Sequence, residues 1–112
     1  MPRFVTIGYG DKAGYERTPA PVRDAAHAND AELVKAGAIM GIAGTPVQVR
    51  NPDATGIDTT QGAYLASNLP IAGFGLIEAP DLDAAIALAA KSPCAVAHGV
   101  IEVWPLTEAN PC

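Results

Sequence analysis

Two histidines occur in the chain, and His27 has an acid three residues on, Asp30. Residues three apart share a flank on a helix, and a carboxylate there can orient an imidazole for acid–base work. Arg23 and Val34 fall on the same flank. The same spacing arises by accident on many solvated helices, so an ordinary surface pair is an equal reading. A second cluster is Gln61-Gly62-Ala63-Tyr64, a tight polar–glycine–aromatic turn that is either punctuation or the rim of a site. Tyr64 and Trp104 could line a pocket, although aromatics at strand ends more often belong to a core. His98, before Gly99, reads as a turn residue, with a pocket-facing role as the lesser reading. Cys94, after Ser92-Pro93, gains little support as a nucleophile. The histidines lie far apart with no acidic cluster beside either, so no metal site is expected. "GYGDKAG" (8–14) is glycine-rich after a strand, but a proline-containing loop follows it, so no phosphate loop is expected and no cofactor is implied.

Elements that would position these residues follow from periodicity and turn chemistry. "RFVTIGYG" (3–10) reads as a strand and "DKAGYERTPAP" (11–21) as a loop. A helix is expected over 22–37, with Val22, Ala26, Leu33 and Ala36 as its apolar stripe, Pro21 at its first turn and Gly37 just past its end. Strands are expected at 38–44 and 45–51, a hairpin tip at 51–56, a resumed strand at 57–60 and another at 72–79. The segment 80–93 is the best-signalled helix: Asp81 as N-cap, Asp83 in the first turn, Lys91 in the last, and Ser92-Pro93 as the stop. Leu82, Ala85, Ile86, Ala89 and Ala90 recur at the helical period, and Leu82 and Ile86 are expected to be buried on a sheet. "GVIEVWPL" (99–106) is a final strand before a frayed tail.

The resulting order is the ferredoxin-like βαββαβ pattern of the α+β class, an antiparallel sheet with two helices on one face. Apolar residues stand on both parities of the strands: Phe4 against Val5 and Ile7, Phe74 and Leu76 against Ile77, Val100 and Trp104 against Ile101 and Val103. Helices bury one parity only, so the other needs its own cover. A chain of 112 residues is one domain with nothing left over, and the simplest cover is a second copy. Net charge is −5 with the basic residues scattered, which disfavours nucleic acid. No apolar run reaches the length of a membrane span, and "MPRFVTIGYGDK" lacks a signal-peptide layout. Cys94 and Cys112 read as free thiols of a reducing cytoplasm.

"YGD" at 9–11, "ELVKAG" at 32–37, "GFGLIEAPDLDAAIALAAKSP" at 73–93 and "GVIEVWPL" at 99–106 together resemble the YCII-related family, in particular its branch marked by an Asp-Gly-Pro-Phe motif. The resemblance covers nearly the whole chain. It implies a bacterial-type protein with a ferredoxin-like fold that dimerises sheet to sheet as a dimeric α/β barrel. The motif falls on Gln61-Gly62-Ala63-Tyr64: the glycine and an aromatic are kept, but the acid is Gln61 and the proline is Ala63. Where the family usually has Arg before the final proline, this chain has Trp104. The shorter family members pair a helix histidine with an aspartate in a proposed acid–base site, and His27 resembles that histidine in its spacing to "AG" at 43–44. An amide cannot serve as general base, so Gln61 puts catalysis in doubt; Asp58, three residues earlier, could replace the missing carboxylate if its loop folds inward. Two functions follow. One is a small-molecule cleft between the first helix and the sheet with weak or absent lyase-like chemistry, using His27 and Asp30 beside Gln61, Tyr64, Asp58 and Trp104. The other is a non-catalytic dimeric module that binds a protein partner.

Overall fold

The structure is a computed structural model and describes residues 1–107; the expected fraying of the tail lies outside them beyond Thr107. Strand β1 (Arg3–Tyr9) alternates as its sequence requires, with Phe4, Thr6 and Gly8 buried and Val5, Ile7 and Tyr9 half-buried on the opposite face. The stretch expected as a loop contains a short helix, α1 (Lys12–Glu16). The Asp11 carboxylate caps it, accepting from the Gly14 N–H at 2.8 Å. Five residues are too few to show a helical period, which is why periodicity missed α1. Helix α2 (Ala20–Lys35) begins two residues before the expected start and carries Pro21 in its first turn. Beyond its end Gly37 takes φ 112°, where a glycine is at home, and Ala38 N–H reaches back to the Leu33 carbonyl at 2.9 Å.

Strand β2 (Ile39–Ile42) follows, then β3 (Val47–Arg50) and β4 (Asp58–Gln61), with a 3₁₀ turn at Pro52–Ala54 between them. The hairpin expected here forms, but as a separate two-stranded ribbon. Its pairs run from Val47↔Gln61 to Arg50↔Asp58. Strand β5 (Ile71–Glu78) returns to the main sheet, and helix α3 (Leu82–Ala89) starts at Asp81, whose side chain accepts from Ala84 N–H at 2.8 Å. The expected stop at Ser92-Pro93 instead opens one more turn, α4 (Pro93–Val96), with Ser92 as its cap. Pro is at home in a first turn; α3 has already ended with Ala90 as its C-cap, and Pro93 begins α4. Strand β6 (Val100–Leu106) closes the fold.

The main sheet has the order β2-β5-β1-β6, every neighbouring pair antiparallel. Inserting β5 between β1 and β2 splits the βαβ unit, an arrangement compatible with a ferredoxin-like fold. The core is small: Phe4, Ile77, Ala79 and Ala85 are buried, with Met40, Leu88 and Val103 packed against them. Ala85 and Ala89 form the buried face of α3, while Leu82 and Ile86 remain 44 % and 49 % exposed, contrary to the expectation that they bury. The short alanines let α3 lie close to the sheet, and the longer side chains then fall to its flanks. Likewise only Ala26 of the expected α2 stripe is buried; Leu33 is half-buried, and Val22 and Ala36 are exposed.

The other sheet face carries Val5, Ile7, Leu76, Phe74, Trp104 and Val100, aligned by the pairs Val5↔Leu76, Ile7↔Phe74 and Val5↔Trp104. No described helix or strand covers it, although the loop at 65–70 borders its Tyr9 and Phe74 end, and Trp104 and Ile39 are 56 % and 69 % exposed. The radius of gyration is 16.0 Å, against about 13 Å for a compact chain of this length.

Candidate functional site

Helix α2 packs chiefly against α4, and between its inner flank and the sheet lies a cleft of about 420 Å³. The walls come from α2 (His27, Asp30, Leu33, Val34), from β1, β2 and β5 (Thr6, Met40, Ile77), and from the α3–α4 corner (Leu88, Ser92, Cys94). Backbone close approach shapes its floor: a Cβ at Gly8 would stand 2.7 Å from Cys94 Sγ, so glycine is what lets Cys94 seat against β1. The cleft is lined mostly by apolar groups with a few polar ones, the composition expected of a small-molecule pocket.

His27 and Asp30 both reach this cleft, but no ion pair joins them, since the ion pairs among the described residues are Arg3–Glu78 and Lys12–Glu16. The His27 partner is Tyr15, with hydroxyl and Nε2 2.9 Å apart. The Arg23 guanidinium lies 4.8 Å from the centre of the Tyr15 ring and braces that aromatic from α2. Burial raises the Asp30 carboxyl above the usual carboxylate range, with the nearby positive charge of His27 opposing part of the effect. Burial likewise pushes the Cys94 thiol up, and the negative charge of Asp30 adds to it. Cys94 is therefore held toward the neutral thiol, the reverse of an activated nucleophile.

The other residues singled out in the sequence lie elsewhere. Gln61 and Asp58 are on exposed β4, with Asp58 opposite Arg50. Gly62 turns the chain at φ 110° and its carbonyl accepts from Gln48 Nε2 at 3.2 Å. Tyr64 is exposed, its ring 5.8 Å from the Arg50 guanidinium. Trp104 stands on the open sheet face. None of Gln61, Asp58, Gly62, Tyr64 and Trp104 lines the cleft of His27 and Asp30. His98 takes φ 62° between α4 and β6, a turn position. On the open face Tyr9 donates to Glu102 Oε1 at 2.6 Å, which raises the Tyr9 phenol, with desolvation and the Glu102 charge adding. Sequence reasoning missed Tyr15, because only the unforeseen α1 carries it to His27, and it missed the place of Cys94 in the cleft wall for the same reason at α4.

No group of three His, Cys, Asp or Glu that could hold a metal ion occurs among the described residues, and none of the described helices is long and apolar enough to cross a membrane. The arrangement defines an α+β protein with one ligand-sized cleft on the helix side of its sheet. Residues 3–110 match the YCII-related domain, and the chain belongs to that family. No curated protein matches it.

Proposed function

We propose that this YCII-related protein binds a small molecule in the cleft between α2 and the sheet, with His27 and Asp30 as its polar end. The cleft itself carries the reading: about 420 Å³ of mostly apolar wall into which two titratable side chains of one helix project. A pocket of that size and composition suits a ligand of modest size. Any chemistry there is limited to proton transfer at His27, whose Nε2 is tied to Tyr15; Gln61, in the position of the family's motif acid, stands on the ribbon. Gly62 and Tyr64 support placement in the Asp-Gly-Pro-Phe branch. Ala31 is exposed and lines the cleft, so Ala31→Phe should fill it and leave the fold intact. A fragment screen by NMR is expected to perturb Met40 and Cys94 in the wild type and not in Ala31→Phe. Equal perturbation in both proteins would refute the cleft.

The working form in this reading is a cytoplasmic homodimer packed open face to open face as a dimeric α/β barrel. Phe74, Val100, Trp104 and Ile39 on that face are all about half exposed or more, and a stable interface takes roughly 800 Å² per partner. The alternative, a non-catalytic module for a protein partner, draws on the ribbon, where Val47 and Val49 share a face and are exposed. A monomer in light scattering at high micromolar concentration would remove the dimer from both readings.

A further inference from the structure

The kind of molecule that suits the cleft follows from which of its polar groups lack a partner, taking the cleft to be the ligand site proposed above. Leu33, Val34, Met40, Ile77 and Leu88 give an apolar wall, and no Lys or Arg lines it among the described residues. His27 is engaged by Tyr15. Asp30 is half-buried, and its carboxylate accepts no hydrogen bond and forms no ion pair among the described residues. A carboxylate partly withdrawn from water and without a donor carries part of the cost of desolvation. The neighbouring inward positions of α2 are Ala26, Asn29 and Leu33, and the buried Asn29 Nδ2 makes no hydrogen bond among the described residues. An ionised carboxylate only accepts hydrogen bonds, so what completes it is a donor, and a cationic donor most of all. Anions are opposed twice, by Asp30 and by the net charge of −5.

We propose that the cleft selects a molecule with an apolar body and a protonated amine head, the ammonium pairing with Asp30 and the body lying along Leu33, Met40 and Leu88. The test is calorimetric titration at neutral pH with three matched probes, phenylpropylamine, phenylpropanol and phenylpropanoate, against wild type and Asp30→Asn. The amine should bind at least about tenfold more tightly than the alcohol, the margin a charge-assisted hydrogen bond provides. Asp30→Asn should remove that margin, bringing the amine and the alcohol to similar affinity. If the alcohol or the acid binds wild type as well as the amine does, or if the preference for amine survives in Asp30→Asn, the amine proposal is overturned while the cleft stands. If none of the three probes binds, the cleft reading fails and the amine proposal with it.

Discussion

Trp104→Ala removes the largest apolar side chain from the open sheet face, and its effect on assembly can be worked out beforehand. Trp104 is 56 % exposed in the single chain. A tryptophan side chain carries about 250 Å² at most, so about 140 Å² of it awaits cover in each copy. At ~25 cal/mol per Å² that cover corresponds to about 3.5 kcal/mol per copy, and about twice that in a symmetric pair. Ordering and desolvation at an interface take back a large share, so the expected loss is about 3–4 kcal/mol per dimer. That is a rise of roughly two to three orders of magnitude in the dissociation constant. The fold itself should survive, because Trp104 lies outside the core of Phe4, Ile77, Ala79 and Ala85. Sedimentation equilibrium on both proteins reads the constant, and far-ultraviolet dichroism checks the fold. A change below about threefold, well short of a measurable hot spot, would show that the open face is covered by something other than a second copy.

Asp30→Asn should raise the melting temperature at neutral pH and leave it unchanged near pH ~3, below the ordinary carboxylate value. Folding raises this carboxyl, so its contribution is intact while it is protonated and is lost as pH rises through the folded value; a lower melting temperature at neutral pH would reveal a donor that holds it. Phe4→Ala should cost about 3–5 kcal/mol in urea denaturation, since Phe4 is a buried core residue. Ile86→Ala should cost only about 1 kcal/mol, because half of that side chain is already in water, whereas Ala85→Leu should cost roughly 1–3 kcal/mol by overpacking a fully buried site; the reverse order would mean that α3 presents another face to the sheet. Gln61→Asp should leave probe affinity at the cleft within about twofold, as independent sites do, and a larger change would mean that the ribbon of a second copy reaches the cleft.

The sheet was legible in the sequence because its strands combine β-branched runs with two-sided apolar patterning. Both parities being apolar was also the signal for an uncovered face, and Val5, Ile7, Phe74 and Trp104 stand on one. The helix caps were legible at Asp81, where a carboxylate precedes an apolar period. The helix that Asp11 caps was not legible, because it is too short to show a period. Which residues of α3 bury was misjudged for a physical reason: size suggested Leu82 and Ile86, but close approach of helix to sheet favours Ala85 and Ala89. In the site, His27 and Asp30 were found together because local spacing on one helix suffices to place them. Gln61, Asp58, Tyr64 and Trp104 required knowing how the ribbon and the sheet faces lie relative to α2, which no local pattern encodes. Tyr15 was out of reach for the same reason.

The two faces of the sheet divide the work, and α2 shows why. A helix docked for stability alone would press an apolar stripe onto the sheet, as α3 does with Ala85 and Ala89. The inward line of α2 is instead Arg23, Ala26, Asn29, Asp30 and Leu33, polar at three of its five positions. Arg23 Nε and Asn29 Nδ2 are buried without a hydrogen-bond partner among the described residues, and such donors are destabilising by about 1–3 kcal/mol each when left dry. Of this line Asp30 and Leu33 face the cleft, while Arg23 stacks on the Tyr15 ring. The stability forgone on the helix side has to come from elsewhere in so small a core. In the proposed dimer, the open face, with Trp104, Phe74 and Ile39 still in water, would supply it. Assembly and ligand binding are on this view linked by energy rather than by contact. A ligand that neutralises Asp30 should stabilise the fold whether or not the open faces are paired, and variants that disrupt pairing should narrow the margin of stability on which an open cleft depends.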